Sequence, residues 1–94
     1  MIIVSGTIHT APADRDGFVA ASLESVAAAR SAAGCLDFVV AADPVEADRV
    51  NVYERWETEA DLVAFRGEGP GDDLSSMIVR TDVSRYDVAS AGPA

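Results

Sequence analysis

The chain contains no lysine, one cysteine and one histidine. Without lysine there is no Schiff-base nucleophile and no phosphate-binding P-loop. The lone Cys35 rules out an internal disulfide and a thiolate zinc cluster. With His9 alone, neither a histidine-rich metal site nor a Ser-His-Asp arrangement can be argued within one chain. Positive charge is scarce: 7 basic residues, all arginine, stand against 16 acidic ones, for a net charge of −9. That balance disfavours nucleic acid, because neutralising phosphates needs clustered cations. No run of about 18 apolar residues occurs, so no membrane span is expected. The apolar opening Met1-Ile2-Ile3-Val4 is interrupted by Ser5, Thr7 and His9 and follows no basic residue. It reads as a first strand rather than a signal peptide, which leaves the cytoplasm as the expected location.

What is present suits one globular domain spanning residues 1–94, with a frayed tail from about 90. Hydrophobic residues make up 49% and charged residues 24%, which is a folding composition rather than a disordered one. The chain is organised around Arg49 to Phe65, RVNVYERWETEADLVAF. Val50, Val52, Tyr53 and Trp56 give a strand over 49–57. The period then changes at Thr58, an expected N-cap with Asp61 at the capping-box position, and a helix follows over 58–66.

Upstream, residues 2–9 form the first strand, with Ile2, Val4, Gly6 and Ile8 on one face and Ile3, Ser5, Thr7 and His9 on the other. Gly6 invites a close backbone approach or a bulge. A helix capped near Asp14 runs to about Ala33, with Phe18, Ser22, Ser25, Val26, Ala29 and Ala33 at spacings of three and four. Gly34 stops it. Residues 35–42, CLDFVVAA, give a second strand, in which Cys35 reads as a small buried hydrophobe rather than a nucleophile. An acidic turn, Asp43 to Asp48, is expected in solvent. Gly67, Gly69, Pro70 and Gly71 form a loop after the second helix. Residues 72–79 suit a short helix or the opening of a strand. The short helix is preferred, followed by a last strand at about 82–89.

The order β-α-β-β-α-β predicts an α+β, ferredoxin-like fold: a four-stranded antiparallel sheet with both helices on one face. Val4, Ile8, Val52 and Trp56 are expected on the face without helices. Burying that apolar patch predicts a homodimer packed sheet to sheet. Tyr53, on the opposite side of its strand from Trp56, is expected under the helices. His9, near a strand end, is expected in solvent.

The segment Gly34-Cys35-Leu36-x-Phe38, an acidic turn with Pro44, then Tyr53-Glu54-Arg55-Trp56-Glu57 leading to Ala60-x-Leu62, resembles the antibiotic biosynthesis monooxygenase (ABM) family. The opening MIIVSGTI, its Pro turn, and Arg15, Asp16 and Phe18 agree with it. The resemblance covers about residues 1–66. It implies a dimeric α+β barrel enclosing one pocket per subunit. It also implies a monooxygenase that joins O2 to a small aromatic substrate (a quinol, an anthrone or a phenolic polyketide) without cofactor or metal. A non-catalytic small-molecule-binding barrel is the alternative. Family members often carry a histidine in the second helix where this chain has Phe65-Arg66, and a haem-degrading branch uses an asparagine where this chain has Gly6. Haem degradation is therefore not expected.

Such an oxygenation needs a proton acceptor and a dry pocket. Glu54 and Trp56, two apart on one strand face, are the candidate catalytic residues. Desolvation would raise the Glu54 pKa towards that of a useful base. An ion pair with Arg55 of a second copy or with Arg85 remains open for Glu54, and a core or interface position for Trp56. Gly6, Val52, Phe38, Phe65 and Tyr86 are the candidate substrate-binding residues. Arg80 and Arg85 belong to the pocket rim or to plain surface.

Overall fold

A computed structural model describes residues 1–67 and 72–94. The strands are β1 (Ile2–Thr10), β2 (Cys35–Ala42), β3 (Arg49–Trp56) and β4 (Ile78–Asp87). The helices are α1 (Arg15–Arg30) and α2 (Glu59–Gly67), and a 3-10 turn, Asp72–Met77, leads into β4. Of the loop expected from Gly67 to Gly71, Gly67 closes α2 and residues 68–71 lie outside the described residues. The strands form one antiparallel sheet in the order β2-β3-β1-β4, so the fold is the α+β, βαββαβ arrangement.

Pairing aligns Ile2 with Trp56, Val4 with Glu54, Gly6 with Val52 and Ile8 with Val50. These even-numbered residues share the face covered by the helices. Ile2, Val4, Phe38 and Trp56 form the core with Val26 and Ala29 of α1 and Leu62 of α2. The expectation that Val4, Ile8, Val52 and Trp56 lie on the helix-free face is therefore corrected. Val4, Val50 and Trp56 are at most 1% exposed, and burying the more apolar of two alternating sets decides the face. Tyr53 moves in the opposite sense: it pairs with Ser5 and Val39 on the open face.

That open face carries rows set by register. Asp37, Arg55, Ile3 and Tyr86 make one row; Val39, Tyr53, Ser5 and Ser84 the next; Ala41, Asn51, Thr7 and Asp82 a third. Ile3, Val39, Ala41 and Tyr53 are half-buried, Tyr86 is exposed, and Arg55 Nε is buried without a hydrogen-bond partner.

Local chemistry explains the element ends. Thr58 Oγ1 accepts from Asp61 N–H at 3.1 Å and donates to the Asp61 carboxylate at 2.9 Å, so Thr58 caps α2. Asp14 sits at the N-cap of α1, but its side chain makes no cap hydrogen bond. The backbone holds that turn instead, with Phe18 N–H donating to Asp14 O at 2.9 Å. α1 stops at Arg30 rather than Ala33. Ser31 N–H turns back to Ala28 O, and Gly34 completes the turn at φ +80°. β4 begins at Ile78, not near 82, because nine residues of β1 find partners along it, from Ile2 with Asp87 to Thr10 with Ile78.

At Gly6 the close backbone approach comes from β4. A side chain there would meet the Asp82 carbonyl oxygen, and its Cβ would lie 2.7 Å from Val83 Cα. The acidic turn is tied down rather than free. Asp43 accepts from Glu46 N–H and Val45 N–H and from Asn51, which together hold its carboxyl down at about 2. Arg15 donates to the Asp43 and Glu46 carbonyls. At the outer edge of β2, both backbone groups of Phe38 are taken by side chains. Its N–H donates to Asp37 Oδ1 at 2.9 Å, and its carbonyl accepts from Arg30 Nε at 2.8 Å.

Candidate functional site

The polar centre of the helix-covered face is Glu54. β3 places it between Val4 on one side and Phe38 on the other, and only 7% of it is exposed. A carboxylate so enclosed needs partners. Trp56, two residues on and so on the same face, donates from its indole Nε1 to Glu54 Oε1 at 3.0 Å. Arg66, on the last turn of α2, brings a guanidinium nitrogen to 3.8 Å from Oε2. Burial pushes the Glu54 carboxyl above its usual value, and the indole N–H and the Arg66 charge only partly offset this.

The walls are aromatic. Phe65 stacks at a tilt on Trp56, with ring centroids 5.5 Å apart, and meets Phe38 edge-on at 5.9 Å. Trp56 is 0% exposed and Leu62 1%. The indole thus lies beneath its own α2, and neither Trp56 nor Glu54 faces the open side of the sheet. A hollow closed between two sheets would not contain them, so the candidate site lies between sheet and helix.

Four of the expected site residues, Glu54, Trp56, Phe38 and Phe65, come together. Val52 shares their face, one alternation further from Trp56, and Gly6 pairs with it. Tyr86 is on the opposite face, aligned with Ile3 and 54% exposed. Sequence reading noted Arg66 only for the histidine it displaces. The usable signal was spacing: Arg66 follows the buried Leu62 by four residues, which puts both on one helix face. Within the chain Glu54 pairs with neither Arg85 nor its own Arg55. Arg85 is bound to Glu59 at 2.6 Å, and Arg55 projects from the other face.

Next to this cluster, Arg30, Cys35, Leu36 and Asp37 line a cleft of about 360 Å3. Cys35 also packs on the core, so its thiol forms a wall between cleft and core. Burial, then the charges of Asp37 and Glu54, push that thiol up from 9.0, away from nucleophile character. His9 is not a solvated surface residue. It is 8% exposed, with Nδ1 3.3 Å from Asp48 and Nε2 3.4 Å from Arg80, partners distant in sequence that close over it. Among the described residues, no group of three or more His, Cys, Asp or Glu side chains could hold a metal, and no helix is long and apolar enough to cross a membrane.

The chain is an α+β domain of split βαβ order, with a buried carboxylate held by an indole N–H under an aromatic lid. The profile described as "antibiotic biosynthesis monooxygenase" matches residues 1–69, and the chain belongs to that family. No curated protein matches the chain. Solved structures are similar to it in fold. A candidate antibiotic biosynthesis monooxygenase from Deinococcus radiodurans is 17% identical, with 100% of this chain and 98% of that one covered and a TM-score of 0.86. One from Nitrosomonas europaea is 13% identical, with coverage of 96% and 100% and a TM-score of 0.83. A Mycobacterium tuberculosis protein is 14% identical, with 98% of both chains covered and a TM-score of 0.83.

Proposed function

We propose that the protein is a cofactor-independent monooxygenase of a small, electron-rich hydroxyaromatic compound, of the anthrone, quinol or phenolic polyketide kind. The observation that carries this reading is the buried Glu54, its pKa raised and its carboxylate seated on the Trp56 N–H. Glu54 takes a proton from the substrate, and the resulting anion passes one electron to O2. Superoxide and the ring radical combine at carbon, and Glu54 returns its proton to the peroxide. Loss of water then converts a ring methylene to a carbonyl, with one oxygen atom in the product and one in water. The protein contributes a proton acceptor whose burial raises its pKa and aromatic walls that keep water away from it.

O2 uptake with an anthrone and quinol panel tests the reading. Glu54→Gln keeps the indole contact and removes the base, and is expected to slow turnover at least about tenfold. Unchanged uptake in that variant overturns the assignment of Glu54.

One observation favours a second reading, a small-molecule-binding protein without oxygenase chemistry. The indole is wholly enclosed and its single N–H is already spent on Glu54. A ligand that raises the unfolding temperature without O2 consumption would select it.

We also propose that two copies pair through the open sheet face. The half-buried Ile3, Val39, Ala41 and Tyr53 and the unpartnered Arg55 Nε support this, since the apolar groups gain from being covered and a second copy can bring the buried Nε an acceptor. Sedimentation at micromolar concentration is expected to give a dimer, and Tyr53→Asp is expected to shift it to monomer. A monomeric parent chain would refute the pairing.

A further inference from the structure

We propose that the gap between Glu54 and Arg66 is a seat for one acidic hydroxyl group of an aromatic ligand, with Arg66 holding the oxygen once Glu54 has taken its proton. The proposal rests on the reading of Glu54 as base and adds the group that receives the anion.

Geometry is the first argument. Glu54 Oε1 is fixed by the indole, so Oε2 is the oxygen left facing α2. The Arg66 nitrogen is 3.8 Å from Oε2, too far for a direct hydrogen bond. A separation of that size admits a single oxygen atom within hydrogen-bond distance of both groups, at the apex of a triangle. A hydroxyl oxygen at that apex would touch both groups. A water molecule has the same footprint, and the test below separates the two.

Position is the second argument. The Glu54 side chain is 9% exposed and that of Arg66 is 54% exposed, so the pair spans the boundary between the packed aromatic cluster and solvent. Among the described residues Arg66 forms no other ion pair. The exposed Arg66 side is the open approach to Oε2.

Charge balance is the third. Before transfer, the guanidinium faces a carboxylate. In the transfer the ligand O–H bond breaks, a new O–H bond forms at Glu54 Oε2, and the electron pair stays on the ligand oxygen. Afterwards the same guanidinium faces that oxyanion. The net charge of the cluster does not change, and neither state leaves a buried charge unpaired. Arginine suits this better than a titrating base, because it stays charged throughout. The recognised class is therefore aromatic compounds with an ionisable ring hydroxyl. Their methyl ethers, which have no proton to give, are excluded.

The test uses the full chain and 4-nitrophenol, whose ionised and neutral forms differ in absorption, at a pH where the free probe is a mixture of both. The parent protein is expected to bind it and shift it towards the ionised form. Arg66→Gln is expected to bind it at least about tenfold more weakly and to lose the shift. Arg66→Lys is expected to restore part of both, and 4-nitroanisole is expected not to bind. Because Arg66 is largely exposed, both variants are expected to stay folded, which their far-UV circular dichroism checks. Failure of the parent to bind the probe overturns the proposal, as does equal binding and ionisation in Arg66→Gln, or nitroanisole binding as well as nitrophenol. The assay consumes no O2. An Arg66-dependent shift without oxygenation would keep the seat and discard the monooxygenase reading; oxygenation with no role for Arg66 would do the reverse.

Discussion

Trp56→Ala is expected to destabilise the fold by about 3–5 kcal/mol, the range for deleting a buried large aromatic side chain. For a domain of this size that lowers the unfolding midpoint by more than about 12 °C. The loss has three sources: the indole is fully enclosed, it carries Phe65, and it is the hydrogen-bond donor to Glu54. Trp56→Phe separates packing from hydrogen bonding. It keeps most of the ring but leaves Oε1 without its donor, so its cost depends on the charge of Glu54. Burial raises the folded pKa of Glu54 above 4.5, so between the unfolded and folded values the native state binds the extra proton. The contribution of Glu54 to stability is therefore highest below pH 4.5 and falls as pH rises through the folded value. Removing the donor raises that value further and deepens the fall. Trp56→Phe is thus expected to be milder at pH 4 than at pH 8 in urea unfolding. A cost independent of pH would mean that the indole N–H does not stabilise the ionised carboxylate.

Gly6→Val is expected to cost about 3 kcal/mol or more, from overpacking and backbone strain together. The first side-chain atom already collides with the backbone of β4 at Asp82 and Val83, and φ of +156° is poor for any residue with a Cβ. β1 is the central partner of β4, so the strain falls on the whole β1–β4 ladder. Native-state amide exchange should show loss of protection along β4 while β2 keeps its own. Uniform loss, or none, would contradict the local nature of the clash.

The bounds of the central elements were legible because their signals are local. β2 spans the expected residues, β3 stops at Trp56, one short of the expected end, and Thr58 caps α2 through its own hydroxyl. The face of the sheet was misjudged for a different reason. Alternation tells which residues travel together but not which set goes under the helices. Val4, Ile8, Val52 and Trp56 were expected to be buried by a second copy, and a partner sheet hides apolar groups as readily as helices do. Weighing the sets against each other, Val50, Val52 and Trp56 against Asn51, Tyr53 and Arg55, points to the observed burial. Glu54 and Trp56 were legible as a pair because they are two apart on one strand. Arg66 and the His9–Asp48–Arg80 contacts were not, because those partners meet only through the tertiary fold.

The engaged backbone of Phe38 bears on how the molecule behaves when crowded. An incoming strand laid along the β2 flank must first displace the Arg30 guanidinium and the Asp37 carboxylate, a toll that discourages edge-on stacking. Growth of one sheet into the next, the first step towards a fibril, is thereby impeded from that side.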